Sequence, residues 1–215
     1  MKSIIETRRD FLKQAAVAVA FPFVFGCRPE SSAQVPDGDV LRAIKKNAIT
    51  DTRDEYWGAR SAPDDVSWKT MLATDADKSE RIVISGTVYM PDGKTPAPKT
   101  LIYLYHTDVN GIYGRGAEHR HGRYRGWMLT DSSGRYEFES ILPASYPNST
   151  ISKHIHMTLT TRDQKEDYID SILFEGDRFL TERERVVSRG GFQPVLTMAK
   201  KSDGKLHGVR DIRLG

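Results

Sequence analysis

Two histidines one residue apart, His154 and His156, have the spacing that a metal site on a β-strand needs. Residues 154–161 are rich in β-branched and apolar side chains, a composition that predicts a strand. On a strand, alternate residues face the same side about 6.5–7 Å apart at Cα, so both imidazoles could bind one metal ion while Ile155 enters the core. A solvent-facing strand that carries two histidines without a metal fits the same pattern. The pair alone does not decide between these alternatives.

Four other segments occur in a fixed order around this pair. They are residues 109–113, which end in Tyr113; residues 130–138, which have the pattern of a β-hairpin; residues 142–147, which contain Tyr146; and residues 174–177, Phe-Glu-Gly-Asp. The ordered combination resembles the intradiol ring-cleavage dioxygenases, the family of protocatechuate 3,4-dioxygenase and catechol 1,2-dioxygenase. The resemblance runs from about residue 81 to residue 215. It lies in the order of the segments, since the hairpin pattern also occurs in non-catalytic sandwich domains.

By that resemblance, four side chains of this chain are the ligands of a non-haem ferric ion. They are Tyr113, Tyr146, His154 and His156. Two phenolates and one hydroxide supply three negative charges, which neutralise Fe(III) and favour it over Fe(II). Hard anionic oxygens suit a hard cation, and neutral imidazoles complete the coordination. Zinc is a poorer match, because its protein sites use cysteine, histidine and carboxylates.

The resemblance also implies an enzyme and its reaction. A catechol-type substrate binds through both of its oxygens, and Tyr146 leaves the metal while it acts as a base toward the incoming hydroxyl. O2 is inserted between the two hydroxylated carbons, and the ring opens to a diacid. A small-molecule catechol and O2 are therefore the expected partners.

Two positions depart from the pattern of the family. Many members carry an arginine three residues before the first histidine, where this chain has Ile151. Many also carry a glutamine three residues before Phe-Glu-Gly-Asp, where this chain has Ser171. Loss of residues that surround a metal site commonly costs about 10- to 100-fold in activity. Because attack on O2 builds negative charge on the substrate, an active enzyme needs a substitute cation.

The basic loop after Tyr113 is the expected source of that cation. Its basic residues are Arg115, His119, Arg120, His121, Arg123 and Arg125. We expect Arg125 or Arg123 to take the role. Lys153 is the second choice, because strand alternation turns it away from His154. A solvated loop without a catalytic role is the alternative interpretation of these residues.

The segments between the motifs predict an all-β fold, a two-sheet antiparallel or mixed sandwich with few helices. Predicted strands cover residues 81–90, 100–106, 127–130, 135–139, 154–161, 168–174 and 195–199, with turns at 131–134 and 202–204. A short helix is predicted over residues 39–47, with Val40, Leu41 and Ile44 on one face. The sequence from Thr181 to Glu184 has the form of a capping box.

The N-terminal segment reads as a targeting signal. Arg8 and Arg9 precede a short apolar run at residues 15–25, which is the pattern of twin-arginine export. The run is shorter than the roughly 20 residues that a spanning helix needs. Cys27 follows at the point where lipoprotein signal peptides end, so we expect a periplasmic or cell-surface protein anchored by lipid on Cys27. The predicted division is residues 1–26 signal peptide, 27–80 tether and extension, and 81–215 catalytic domain.

The composition excludes several other classes. A chain of 215 residues with one cysteine has no disulfide framework and no cysteine-rich metal site. Its formal charge of +3 is too small for the concentrated basic surface that nucleic-acid binding needs. Two functions remain beside the dioxygenase: a non-catalytic sandwich that binds a ligand, and an iron–tyrosinate protein with other chemistry. The sequence does not predict the oligomeric state.

Overall fold

Two β-sheets pack face to face, as the alternating segments predict. The computed structural model describes residues 37–49, 58–113 and 120–215, all within one compact unit. In these ranges, no helix combines the length and the apolar character that a membrane span requires. The twin-arginine segment, Cys27, Arg115 and His119 lie outside the described residues.

The strands are short and are separated by tight turns. In chain order they are β1 (Lys69–Met71), β2 (Arg81–Tyr89), β3 (Leu101–His106), β4 (Arg125–Leu129), β5 (Arg135–Ile141), β6 (His154–Thr160), β7 (Asp167–Tyr168), β8 (Ile172–Phe174), β9 (Val195–Leu196), β10 (Ala199–Lys200), β11 (Leu206–Val209) and β12 (Ile212–Arg213). The helical elements of the described residues are α1 (Asp37–Lys45) and two 3₁₀ turns, Gly58–Ser61 and Glu182–Arg185.

Both sheets are mixed. The first has the order β1-β5-β2-β11-β10, with β12 also beside β2. Its central pair, β2 and β5, is antiparallel, whereas β1, β11 and β12 join it in parallel. The second sheet has the order β4-β3-β6-β8-β9, with β7 beside β6. In this sheet Tyr105 of β3 lies opposite Arg125 of β4 and also opposite His156 of β6.

The core lies between the sheets and follows the two-residue period of the strands. Ile84 and Phe138 of the first sheet belong to the same buried cluster as Ile155 and Met157 of the second. All four are fully buried. Each contributes about 1.5–3 kcal/mol through burial of its apolar surface. Because neighbouring side chains of a strand alternate, the residues between these positions on β6 face the outside of the sandwich.

The helix α1 packs onto the second sheet. Leu41 and Ile44 of α1 are buried against Leu101 and Leu129, at the ends of β3 and β4. The buried carboxylate of Glu166 extends this contact. It accepts hydrogen bonds from the backbone N–H groups of residues 49 and 59 and from the hydroxyl of residue 158 on β6.

The structure confirms the predicted fold class, the short helix and the capping box at Thr181. One predicted strand, residues 168–174, is two strands, because residues 169–171 leave the ladder. Residues 195–199 are likewise interrupted, and the two halves pair in different sheets. The strands β1, β11 and β12 were not predicted, since each is too short to show a clear alternation of apolar and polar residues.

Candidate metal centre

The two histidines of β6 point away from the core and toward each other. Ile155 and Met157 face inward, so His154 and His156 lie on the outer face of the second sheet, each half-buried. Their Nε2 atoms are 3.0 Å apart. The spacing that the sequence predicts for a metal-binding pair is therefore present.

Hydrogen bonds on the far side of the rings set the tautomer of His154. Its Nδ1 lies 2.7 Å from the carbonyl oxygen of Ser152, and a carbonyl can only accept, so Nδ1 carries a proton. In a neutral imidazole this leaves a lone pair on Nε2, which is the atom turned toward His156. The Nδ1 of His156 lies 3.3 Å from the Oγ of Ser171. Such contacts behind a histidine ring are usual where the other nitrogen binds a metal.

Two tyrosine hydroxyls complete the cluster. The Oη of Tyr146 lies 3.2 Å from the Nε2 of His154 and 2.5 Å from the Oη of Tyr113. Four polar atoms from three separate segments are thus linked by short contacts. These are the four residues that the family resemblance implies as ligands, and the structure brings all of them together.

Tyr113 is positioned by a loop that packs directly on the loop of Tyr146. The carboxylate of Asp108 accepts hydrogen bonds from the backbone N–H groups of residues 110 and 112, which shapes the loop. Gly111 adopts a φ of +76°, and a Cβ there would lie 2.0 Å from the carbonyl oxygen of Ser145. Only glycine permits this approach. The two tyrosine loops therefore meet through a contact that has no room for a side chain.

A second glycine contacts the backbone of Tyr113 itself. Gly122 has a φ of +70°, and a Cβ there would lie 1.5 Å from the carbonyl oxygen of Tyr113. The Nη1 of Arg125 donates a hydrogen bond to the carbonyl of Gly122. The start of β4 therefore holds the segment that carries the first tyrosine.

The contacts of the Phe-Glu-Gly-Asp motif show its structural role. The side chain of Asp177 accepts a hydrogen bond from the backbone N–H of Lys153 at 2.7 Å, which fixes the segment that enters β6 at His154. Glu175 forms a two-pronged ion pair with Arg185, at 2.7 and 2.8 Å. The motif thus holds in place both the residues that precede strand β6 and the 3₁₀ turn that follows the motif.

The electrostatics of the cluster favour a bound cation. Burial, together with the neighbouring His154 and His121, lowers the pKa of His156 to about 3. The ring is therefore neutral, which is the form that binds metals. Burial raises the pKa of Tyr113, and the hydrogen bond between Tyr113 and Tyr146 adds to this. The phenol would ionise at neutral pH only beside a strong positive charge.

The donor set also limits the choice of metal. The described residues contain no group of three or more His, Cys, Asp or Glu side chains that could hold a metal ion. A metal at this cluster would therefore have to use the phenol oxygens of Tyr113 and Tyr146 together with the two imidazoles. Anionic oxygens of this kind fit ferric iron better than zinc.

An aromatic stack that the sequence did not reveal supports His156. The ring of Tyr105 stacks on His156 with centroids 4.7 Å apart, and on His121 with centroids 3.7 Å apart and planes 4° from parallel. The Nδ1 of His121 lies 2.7 Å from the Oη of Tyr103. The interpretation of His121 as part of a solvated loop is therefore wrong, since this side chain is buried.

The three cations expected near the site have different positions. The structure does not place Arg123 at the site. Its guanidinium lies over the ring of Tyr124 and pairs with Asp77, and none of its described contacts reaches the four-residue cluster. Arg125 shares a sheet face with the histidines but donates to a backbone carbonyl. Lys153 lines a separate cavity, in agreement with the prediction that it turns away from His154.

Two cavities adjoin the cluster. The larger, about 800 Å³, contains Tyr146, Lys153 and Arg178, but neither histidine lines it. The smaller, about 390 Å³, is lined by both histidines and is within the size range of small-molecule sites. Ile151 and Ser171, the two positions that depart from the family pattern, both line this smaller cavity. We call it the histidine cavity.

Comparison with known proteins agrees with this geometry. A family described as dioxygenase matches residues 54–210. Catechol 1,2-dioxygenase of Acinetobacter baylyi is 28% identical over 88 residues, which are 40% of this chain but only 28% of that enzyme.

Solved structures share the fold at low sequence identity. The dioxygenase domain of a dioxygenase–carbohydrate-binding fusion from Streptomyces sp. SirexAA-E has a TM-score of 0.56 at 19% identity, covering 70% of this chain and 89% of that one. The 3-chlorocatechol 1,2-dioxygenase of Rhodococcus opacus 1CP has a TM-score of 0.57 at 18% identity, covering 72% and 67%.

Proposed function

This chain belongs to the intradiol ring-cleavage dioxygenase family, and on that premise we propose that it is a non-haem Fe(III)-dependent enzyme. Its substrate would be a catechol-type ring, cleaved with O2 between the two hydroxylated carbons. The observation that carries the proposal is the convergence of the polar atoms of Tyr113, Tyr146, His154 and His156. Bound Fe(III) would supply a Lewis acid that draws electron density from the catechol and makes its ring reactive toward O2.

The residues of the chain would prepare the site for that chemistry. The backbone carbonyl of Ser152 holds the proton of His154 on Nδ1, which keeps Nε2 free to bind. The stack on Tyr105 fixes the plane of His156. Burial keeps His156 neutral, so no proton has to leave it before it binds.

Tyr146 is the group best placed to receive a proton from the substrate. Its Oη contacts both Tyr113 and His154, and its side chain also lines the larger cavity. A phenolate at this position would take the proton of an incoming catechol hydroxyl. The catechol itself would enter the histidine cavity, where Leu173 and Pro194 provide buried apolar surface for its ring.

The proposal is tested on the purified protein by iron analysis, visible absorption and oxygen uptake with a panel of catechols. We expect one iron per chain, a phenolate-to-iron absorption band, and consumption of one O2 per catechol to give a ring-opened diacid. Tyr113→Phe should shift or remove the band, and His154→Ala should lose the metal. His207→Ala is the matched control, because this histidine pairs with Asp203 far from the cluster.

Each failure points to a different alternative. A colourless protein that holds stoichiometric zinc, or no metal, would contradict the iron assignment and leave a non-catalytic binding sandwich. An iron-replete, coloured protein that consumes no O2 with any catechol would indicate an iron–tyrosinate protein with other chemistry.

We also propose, from the sequence of residues 1–27, that the chain is exported through the twin-arginine route and anchored by lipid on Cys27. Replacing Arg8 and Arg9 by lysine should retain the protein in the cytoplasm. If the Cys27→Ala protein remained membrane-bound after a salt wash, the lipid anchor would be wrong.

A further inference from the structure

Among the described residues, one charged side chain of the histidine cavity has no hydrogen-bond or ion-pair partner. Its charged residues are Asp170, Arg183 and Glu184. The carboxylate of Asp170 accepts two backbone N–H groups, at 2.7 and 2.8 Å. The carboxylate of Glu184 accepts the hydroxyls of residues 152 and 181 and one backbone N–H. Among the described residues, no hydrogen-bond or ion-pair partner is found for the guanidinium of Arg183.

The backbone that carries Arg183 is held on both sides. Its 3₁₀ turn is closed by the capping box, and the carboxylate of Glu184 also receives the hydroxyl of Ser152 at 3.0 Å. At the other end of the turn, Arg185 is held by Glu175 through two hydrogen bonds. Within the part of the chain that the structure describes, Arg183 is therefore an unpaired cation on a fixed turn that lines the cavity.

Two other residues that line the histidine cavity are apolar and exposed. Ile151 is 50% exposed and Val186 is 66% exposed, although both line the cavity. Ile151 precedes Ser152, which the turn contacts, so the apolar rim and the guanidinium are neighbours. Exposed apolar side chains grouped around a pocket are typical of a surface that a ligand covers. A substituted aromatic ring would cover these side chains and bring its substituent to Arg183.

We propose that the histidine cavity selects catechols with an anionic substituent and that Arg183 binds this substituent. The inference rests on the proposed function, because it takes the diol end of the ring to lie at the histidines. A guanidinium binds a carboxylate through two parallel hydrogen bonds, which a neutral substituent cannot form. No ion pair joins this guanidinium to Asp170 or Glu184, although both carboxylates line the same cavity and accept hydrogen bonds from neutral groups.

The test compares 3,4-dihydroxybenzoate with 4-methylcatechol in the iron-loaded wild-type protein, Arg183→Gln and Arg183→Lys. The matched control is Arg178→Gln, which removes an exposed arginine that lines the larger cavity instead. Two measurements are made: kcat/KM for each catechol, and calorimetric binding of the monophenols 4-hydroxybenzoate and 4-methylphenol, which are not cleaved. Thermal unfolding of each variant shows that the turn is intact.

We expect Arg183→Gln to lower kcat/KM for the carboxylated catechol about tenfold, through KM, and to weaken 4-hydroxybenzoate binding equally. The neutral compounds should be unaffected, Arg183→Lys should keep part of the preference, and Arg178→Gln should resemble wild type. Equal losses for both catechols, or a loss only in Arg178→Gln, would overturn the proposal. If wild type cleaves no catechol, the proposed function fails. In that case unchanged 4-hydroxybenzoate binding in Arg183→Gln would overturn the role of Arg183 as well.

Discussion

The two halves of the four-residue cluster are built in different ways. His154 and His156 lie on one strand, and their direction follows from the alternation that buries Ile155 between them. Tyr113 and Tyr146 come from two loops, 33 residues apart, whose backbones meet at Gly111 and through a hydrogen bond from the N–H of Ala144 to the carbonyl oxygen of Asp108. Gly122 packs on the backbone of Tyr113 itself. One half therefore depends on local geometry and the other on contacts between distant segments. Substitutions should affect the two halves separately, because the core packing of strand β6 and the close approach of the tyrosine loops can be changed independently.

The largest effect is expected at the contact that holds the first tyrosine. In Gly122→Ala the new Cβ would overlap the carbonyl oxygen of Tyr113, so the loop must move and carry the phenol away. We expect the variant to fold but to lose most of its iron and its absorption band, measured by metal analysis and visible spectroscopy.

Gly204→Ala is the matched control for this substitution. Gly204 has a similar φ of +79°, but a Cβ there would meet nothing within 4 Å. Both variants carry the left-handed backbone cost of about 1–2 kcal/mol, so their difference isolates the close approach. Normal iron content in Gly122→Ala would mean that the loop does not depend on this contact.

In strand β6, the packing of Ile155 in the core and the direction of the two histidines should be separable by substitution. Ile155→Ala leaves a cavity in the core and should lower the free energy of unfolding by about 2–5 kcal/mol, measured by denaturant titration. The alternation of β6 remains, so iron content and the absorption band should stay as in wild type. Val209→Ala, at an exposed position on β11, is the control and should change neither property. Loss of iron without loss of stability would contradict the account of the strand.

The same division explains what the sequence could predict. The strand segments and the directions of His154 and His156 follow from a two-residue period, which is a local property. Tyr113 and Tyr146 were identified through the order of family motifs, because no local rule brings two loops together. The arginine that lines the histidine cavity, Arg183, was missed. The prediction was Arg123 or Arg125, which are close to Tyr113 in sequence, whereas most residues that line the cavity lie between positions 170 and 194.

A smaller effect, dependent on pH, is expected at the cluster of Asp77, Arg123 and Tyr124, which adjoins the tyrosine loop. Burial opposes ionisation of Asp77, but hydrogen bonds from Tyr124 and Thr74 and the charge of Arg123 outweigh it and lower the pKa to about 2. A lowered carboxyl pKa stabilises the fold above the unfolded value near 3.8. That stability, about 1–2 kcal/mol, is lost as the pH falls from there toward 2.

Asp77→Asn tests this linkage in chemical unfolding experiments across that pH range. The variant should be less stable than wild type at neutral pH, and the difference should shrink as the pH falls. Asp65→Asn is the control, since Asp65 is exposed and lies outside this cluster. A difference that is independent of pH would contradict the assignment.

The smallest effect is expected at the ring that stacks on His156. Tyr105→Phe keeps the stack and should leave the iron spectrum unchanged, whereas Tyr105→Leu removes it and should shift the spectrum as the imidazole gains freedom. The loss of stacking should cost about 0.5–1.5 kcal/mol in unfolding experiments. If both variants gave the wild-type spectrum, the stack would not position His156.

Anomalous diffraction from crystals of the purified protein, recorded on both sides of the iron absorption edge, tests the central claim most directly. The account predicts one iron peak within bonding distance of the Oη atoms of Tyr113 and Tyr146 and the Nε2 atoms of His154 and His156. A peak that appears only at the zinc edge, or an iron peak at other residues, would contradict it.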